Sequence, residues 1–117
     1  MAEINSFRDL VAWQKAFRLT SMIYAATAEF PKDERFGLTQ QLRRATVSVV
    51  SNIAEGAGRH TRADYLRFLD MAKGSLYEVQ TQLLLASEFE YLPGSATYEA
   101  AEEVERILNG LIRALRK

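Results

Sequence analysis

The sequence of 117 residues contains no cysteine and a single histidine, His60. The absence of cysteine excludes a disulfide framework, a thiolate zinc site, an iron–sulfur cluster and a cysteine nucleophile. One histidine cannot supply a multi-histidine metal site, and the Glu-x-x-His pairs of four-helix di-iron proteins do not occur. We therefore expect neither a metal nor a cofactor.

Long apolar runs and the common catalytic motifs are missing as well. No apolar run approaches the length of about 18 residues that a membrane span needs, so we expect no membrane segment. The N-terminus has no signal-peptide pattern, and the expected location is the cytoplasm. The sequence has no phosphate-binding glycine loop, nucleophile elbow or dinucleotide fingerprint, which predicts a protein that is not an enzyme.

Net charge is also absent, because 15 basic and 15 acidic side chains cancel. The charges are nevertheless segregated along the chain. Residues 36–77 carry six bases and three acids, residues 78–105 carry seven acids and no base, and residues 106–117 carry four bases and no acid. Such blocks create strong local fields even in a chain of zero net charge.

Turn and capping signals divide the chain into four long segments with no room for a sheet. Capping boxes at 6–9 and 61–64 start two of the segments, and Pro31 and Pro93 fall at breaks. The first predicted helix runs from Ser6 to about Glu29 and the second from Gly37 to Gly56, with a short helical turn over 31–36 between them. The third starts at Thr61, and a turn over 91–95 separates it from the fourth. This order predicts an all-α, up-down antiparallel four-helix bundle, with residues 1–117 as a single domain.

The last three predicted helices each have one apolar seam with the 3–4 alternation of a bundle core. The seam residues are Leu38, Leu42, Ala45, Val49, Ile53 and Gly56; Tyr65, Leu69, Ala72, Leu76, Val79, Leu83 and Ala86; and Ala101, Val104, Leu108, Leu111 and Leu115.

The first predicted helix has a wider apolar arc than a two-helix contact needs. Its two stripes are Leu10, Trp13, Phe17 and Tyr24, and Ala12, Ala16, Leu19, Ile23 and Ala26. An arc of that width predicts burial on more than one side, so we expect a homo-oligomer. The acidic residues from Glu78 to Glu105 are either a solvated face or the complement of the basic block on a neighbouring subunit.

A polar line on the second helix is the densest functional signal. Arg44, Ser48, Asn52 and Gly56 are spaced four apart along one face, and Glu55 flanks them. Three interpretations stay open: a hydrogen-bond seam that fixes helix register, a contact with a ligand or RNA, and a catalytic Asn52–Glu55 pair. The catalytic interpretation lacks a nucleophile or a second carboxylate at helical spacing.

A glycine inside the third helix is the second unusual feature. Gly74 precedes Ser75 and Glu78, and a glycine within a helix costs about 1 kcal/mol relative to alanine. We expect this cost to be tolerated because two backbones approach closely there, with the third helix pressed against the second near Gly56 or Ser48. Gly74, Ser75 and Glu78 are therefore predicted to fix helix register.

The bases of the 36–77 block are candidate nucleic-acid contacts. They are Arg43, Arg44, Arg59, Arg62, Arg67 and Lys73. Arginine suits phosphate because its planar group donates two parallel hydrogen bonds, and Arg59 and Arg62 flank a predicted helix N-terminus that attracts anions. The alternative is that these side chains are ordinary solvated surface.

Four sequence elements together carry a family resemblance over nearly the whole chain. They are Gly-Leu-Thr-x-Gln at 37–41, Arg-Arg-Ala at 43–45, Asn-Ile-Ala-Glu-Gly at 52–56 and Gly-Ser-x-x-Glu at 74–78. With them the sequence resembles the bacterial four-helix-bundle proteins encoded in intervening sequences of 23S rRNA genes. The resemblance implies an up-down bundle that assembles into a ring, as a homopentamer, with no established enzymatic activity.

A cousin of that family, the accessory variability protein of diversity-generating retroelements, is a basic pentamer that binds nucleic acid and a reverse transcriptase. The resemblance therefore implies structured RNA or a ribonucleoprotein, such as one with a reverse transcriptase, as the partner of the basic block. A structural or protein-adaptor bundle without a nucleic-acid role is the alternative function.

Overall fold

The computed structural model describes residues 6–117, which form four α-helices and two short 3-10 helices. The α-helices are α1 (Val11–Thr27), α2 (Leu38–Ala57), α3 (Arg62–Glu88) and α4 (Ala96–Arg116), and the 3-10 helices cover Phe7–Asp9 and Lys32–Glu34. These residues include no β-strand. The prediction of an all-α four-helix bundle is confirmed.

The helices run alternately up and down around one core. Each helix packs against the next in the chain, and α4 closes the bundle against α1. Arg62, at the start of α3, donates a hydrogen bond of 3.1 Å to the carbonyl oxygen of Lys117, just beyond α4. The turn between α2 and α3 and the end of α4 therefore meet at the same end of a bundle that measures 44 × 24 × 21 Å.

The first helix begins later than its capping signal predicts. The Ser6 hydroxyl accepts a hydrogen bond of 3.0 Å from the backbone N–H of Arg8, but it caps the 3-10 helix Phe7–Asp9 instead of α1. Leu10 then adopts extended backbone angles (φ −73°, ψ 126°), and α1 starts at Val11. The prediction of one helix from residue 6 is wrong, because an extended residue separates the cap from the helix.

Glu34 anchors the connection between α1 and α2. One carboxylate oxygen accepts the backbone N–H of Leu38 at 3.1 Å, and the other accepts the hydroxyl of Tyr91 at 3.0 Å. The first contact satisfies an N–H at the start of α2, where Gly37 has no side chain to do so. The second contact ties this connection to the α3–α4 turn and, as a hydrogen bond to the neutral phenol, raises the pKa of Tyr91.

The core follows the predicted seams of α2, α3 and α4 closely. Its largest fully buried side chains are Leu19, Ile23, Leu42, Ile53, Leu69, Leu76, Leu83 and Leu108, with Val49, Val79, Val104 and Thr46. On α1 the stripe that contains Leu19 and Ile23 is buried in this core. Leu10 and Trp13 of the other stripe are half-buried against it, while Phe17 and Tyr24 remain 54% and 41% exposed. One copy of the chain therefore covers the second stripe of α1 only in part.

The close approach between α2 and α3 lies at Gly56. A Cβ atom added to Gly56 would lie 3.0 Å from the Phe68 Cβ atom, 3.1 Å from Tyr65 Cδ1 and 3.3 Å from the Tyr65 carbonyl oxygen. An added Cβ atom would require Tyr65 or Phe68 to shift by a few tenths of an ångström in a close-packed contact. Burial also raises the pKa of the Tyr65 phenol.

Gly74 does not make the close contact that the sequence predicts. A Cβ atom added there would meet nothing within 4 Å, and the residue is exposed. The reason is helical geometry: Gly74 is two residues from buried Ala72 and from buried Leu76, about 200° around the helix from each. The predicted role of Gly74 in pressing α3 against α2 is wrong.

We predict that Gly56→Ala destabilises the bundle by at least about 1 kcal/mol, because overpacking exceeds the gain in helix propensity. Gly110→Ala is the matched control, since Gly110 lies within α4 and an added Cβ atom would meet only an arginine nitrogen at 3.9 Å. The control gains stability by up to about 1 kcal/mol. Urea unfolding of both variants measures the difference, and equal stabilities would contradict the close contact.

Candidate functional site

A basic end of the bundle forms where the α2–α3 turn meets the end of α4. We define it by five exposed residues: Arg59, Arg62, Arg67, Arg116 and Lys117. The guanidinium carbons of Arg59 and Arg67 lie 4.4 and 4.7 Å from the centroid of the Phe68 ring. Arg62 reaches the backbone of Lys117. Residues distant in sequence thus share one small surface.

Acidic partners at the basic end are close but exposed. Glu55 lies 3.9 Å from Arg59, Asp64 lies 3.3 Å from Arg67, and Asp70 lies 3.8 Å from Arg116. Exposed ion pairs of this kind contribute about 0–1 kcal/mol. These carboxylates therefore hold the arginines only weakly.

The other bases of the predicted block lie elsewhere. Arg43 is half-buried: its Nε atom donates to the Thr27 hydroxyl at 2.9 Å and its terminal nitrogen donates to the Tyr24 carbonyl oxygen at 3.3 Å. Its guanidinium group also stacks over the Tyr24 ring at 4.5 Å. Arg43 thus fastens α2 to the last turn of α1. Lys73 is half-buried on α3, with its ammonium 5.9 Å from the Tyr77 ring.

The polar line of α2 joins this helix to α3. The hydroxyl oxygens of Ser48 and Ser75 are 2.8 Å apart, and the Asn52 amide donates to the Ser48 hydroxyl at 3.1 Å and to the Ser48 carbonyl oxygen at 2.9 Å. This is the geometry that a register-fixing contact requires. Glu55 points away to Arg59, and no hydrogen bond joins it to Asn52 in the described part of the chain.

A polar groove opens beside this contact, between α2 and α3, with a volume of about 400 Å³. Its polar lining residues are Gln41, Arg44, Ser48, Ser75, Glu78 and Gln82. The Gln82 amide nitrogen donates to the Gln41 side chain across a long 3.5 Å. Gln82 Oε1 is buried and has no hydrogen-bond partner within residues 6–117. Gln82 was not among the predicted site residues, although a polar side chain next to the seam residue Leu83 indicates a position near the core.

Two broader features of the described residues bear on function. Within residues 6–117, no three His, Cys, Asp or Glu side chains come together in a way that could hold a metal ion. No helix in this range combines the length and the apolar character that crossing a membrane requires.

The family model for the 23S rRNA-intervening sequence protein matches residues 8–113. The chain belongs to this family. A crystal structure from Bacteroides thetaiotaomicron, titled as a protein with unknown function from the S23 ribosomal protein family, has a similar fold with a TM-score of 0.78. It is 22% identical in sequence, and the match covers 87% of this chain and 98% of that one. No curated protein matches the chain.

The sequence elements that carried the resemblance to the 23S rRNA-intervening sequence proteins meet in the polar groove. Gly-Leu-Thr-x-Gln supplies Gln41, Arg-Arg-Ala supplies Arg44, and Gly-Ser-x-x-Glu supplies Ser75 and Glu78. The fourth element supplies Asn52, whose amide supports the Ser48–Ser75 contact. The family elements of this chain are therefore concentrated at the α2–α3 contact, and the fourth element reaches the basic end through Glu55 and Gly56.

Arg43 and Arg44 are adjacent and differ sharply in environment, which gives a matched test. Arg43→Gln removes hydrogen bonds from a half-buried charged group, so we predict a loss of about 1–2 kcal/mol in the free energy of unfolding. Arg44 makes no hydrogen bond or ion pair among the described residues, and Arg44→Gln changes stability by less than about 0.5 kcal/mol. Urea unfolding compares them, and equal losses would contradict the assigned role of Arg43.

Proposed function

We propose that this protein is a cytoplasmic, non-enzymatic homo-oligomer that binds structured RNA through the basic end of each copy. The observation that carries the proposal is the convergence of Arg59, Arg62 and Arg67 with Arg116 and Lys117 at one end of the bundle. The family resemblance implies a ring of five copies. It also implies a ribonucleoprotein, such as one with a reverse transcriptase, as an alternative partner.

The chemistry of the basic end favours phosphate over bases. Its arginines present flat, multiply donating groups that match phosphate oxygens. The aromatic ring at this surface, Phe68, is only 6% exposed and is covered by Arg59 and Arg67. The Phe68 ring is therefore not open as a stacking platform for single-stranded bases. Recognition of a folded RNA through its backbone and shape fits this arrangement better.

Assembly would strengthen such binding. A few phosphate contacts per copy give weak binding, but several linked copies engage one folded RNA with a raised effective concentration. The uncovered stripe of α1, with Phe17 and Tyr24 about half exposed, supports the oligomer half of the proposal. A charge-neutral chain binds RNA in this scheme because its bases are concentrated at one end.

A protein-adaptor role is the second candidate. The exposed carboxylates of Glu55, Asp64 and Asp70 favour it, because they already neutralise part of the basic end. In that case the arginines are ordinary solvated surface residues, and the affinity for RNA is low at every salt concentration.

We predict that Arg59→Gln with Arg62→Gln weakens binding of an RNA hairpin and flattens its salt dependence. Between about 50 and about 300 mM salt, the logarithm of the binding constant falls with a slope of about 0.7–0.9 per phosphate contacted, so each lost contact lowers the slope by that amount. Filter binding measures the slope, with an unstructured RNA of equal length for comparison.

The control for this experiment is Arg18→Gln with Arg106→Gln, which removes the same charge from exposed residues on the α1–α4 side. The control retains the parent slope, and both double variants keep the parent melting temperature within a few degrees because exposed charges contribute little to stability. An absence of hairpin binding by the parent protein at about 50 mM salt would contradict the RNA proposal and favour the adaptor role.

A further inference from the structure

One side of the bundle carries an uncovered face of aromatic and aliphatic side chains, which we call the aromatic face. It consists of Phe17 and Tyr24 from α1, Phe36 from the α1–α2 connection and Val47 from α2. Phe36 is 77% exposed, and Val47 is as exposed as Tyr24. Tyr24, Phe36 and Val47 line a wide open groove of about 760 Å³. Soluble chains seldom leave a patch like this uncovered.

A second uncovered face runs along the outside of α3, and we call it the outer α3 face. It contains Met71, Tyr77, Leu84 and Leu85, each between 42% and 55% exposed. Gly74 lies among them as a notch, because a Cβ atom there would meet nothing within 4 Å. A glycine is costly within a helix, and the packing inside one copy does not explain it. A second surface that packs against the outside of α3 explains the glycine at position 74.

The net charges around the two faces have opposite signs. The groove of the aromatic face is lined by Arg35, Arg43 and Arg44 and by one carboxylate, Glu55, so its bases outnumber its acids. Along the outer α3 face from Met71 to Glu88, the exposed acids Glu78 and Glu88 outnumber the one base, Lys73, whose ammonium lies 5.9 Å from the Tyr77 ring. Each face therefore repels a second copy of itself and attracts the other face, which is charge complementarity between two different surfaces of one chain.

We infer that the aromatic face of one copy binds the outer α3 face of a second copy. This rests on the homo-oligomer in the proposed function and assigns its contact. Because the two mating faces differ, the contact is heterologous, and each copy keeps one free face for the next. The apolar side chains of α3 fill the open groove, Gly74 allows the backbones to approach, and the glutamates meet the arginines of the groove.

The test uses two variants that each disable one face. Phe36→Glu with Val47→Glu disables the aromatic face, and Leu84→Glu with Leu85→Glu disables the outer α3 face. All four positions are at least 41% exposed, so the fold is preserved. The control, Val11→Glu with Ala25→Glu, places the same charges at exposed positions of α1 outside both faces. Light scattering gives the masses, and circular dichroism checks the helical content.

The expected result is that the parent and control share one multimeric mass, while each face variant alone has the mass of one chain. Mixing the two face variants in equal amounts doubles that mass, because each supplies the face that the other lacks. Gly74→Gln, which fills the notch, lowers the parent mass in the same way. A mixture that stays at the mass of one chain would overturn the inference, because the two intact faces would then not bind each other.

Further outcomes distinguish a failure of this inference from a failure of the proposed function. A face variant that keeps the parent mass overturns the assignment of the contact and leaves the homo-oligomer intact. A parent that has the mass of one chain at all concentrations overturns both. If Phe36→Glu with Val47→Glu keeps the parent mass but loses affinity for the RNA hairpin, RNA occupies the aromatic face and the inference is wrong.

Discussion

The close packing of α2 against α3 is the constraint on which the other features of this bundle depend. It is tightest at Gly56, where an added Cβ atom would lie 3.0 Å from the Phe68 Cβ atom and 3.1 Å from Tyr65 Cδ1 of the next helix. Farther along the same pair of helices, Ser48 and Ser75 meet through their hydroxyl groups. Because α2 and α3 are fixed in this way, the turn between them presents Arg59 and Arg62 at the end of the bundle.

The up-down topology converts blocks of charge along the sequence into regions of charge in space. Residues 78–105 contain the end of α3, the following turn and the start of α4, so the acidic block lies in the half of the bundle farthest from the basic end. Residues 106–117 return to the basic end and add Arg116 and Lys117 to it. A chain of zero net charge thus has a cluster of basic side chains at one end and of acidic side chains in the opposite half.

The seams and the bundle were predictable because apolar periodicity reports directly on which side of a helix is buried. The start of α1 was not, because the capping signal at Ser6 is satisfied equally well by a 3-10 helix. The environment of Gly74 was not predictable either, because it depends on which residues of other helices lie beside it. Arg43 and Arg44 look alike in sequence, yet the rotation of about 100° between successive helical residues turns Arg43 onto α1 and leaves Arg44 at the polar groove.

The central claim is that the Ser48–Ser75 contact, at the polar groove where the family elements of this chain meet, holds α2 and α3 together. The most direct measurement is a double-mutant cycle with Ser48→Ala, Ser75→Ala and the double variant, each followed by urea unfolding. The account predicts that the two serines are coupled by about 0.5–1.5 kcal/mol, so that the double variant loses less stability than the two single losses combined. Strictly additive losses would contradict it, because the serines would then act independently and α2 would be held to α3 by other contacts.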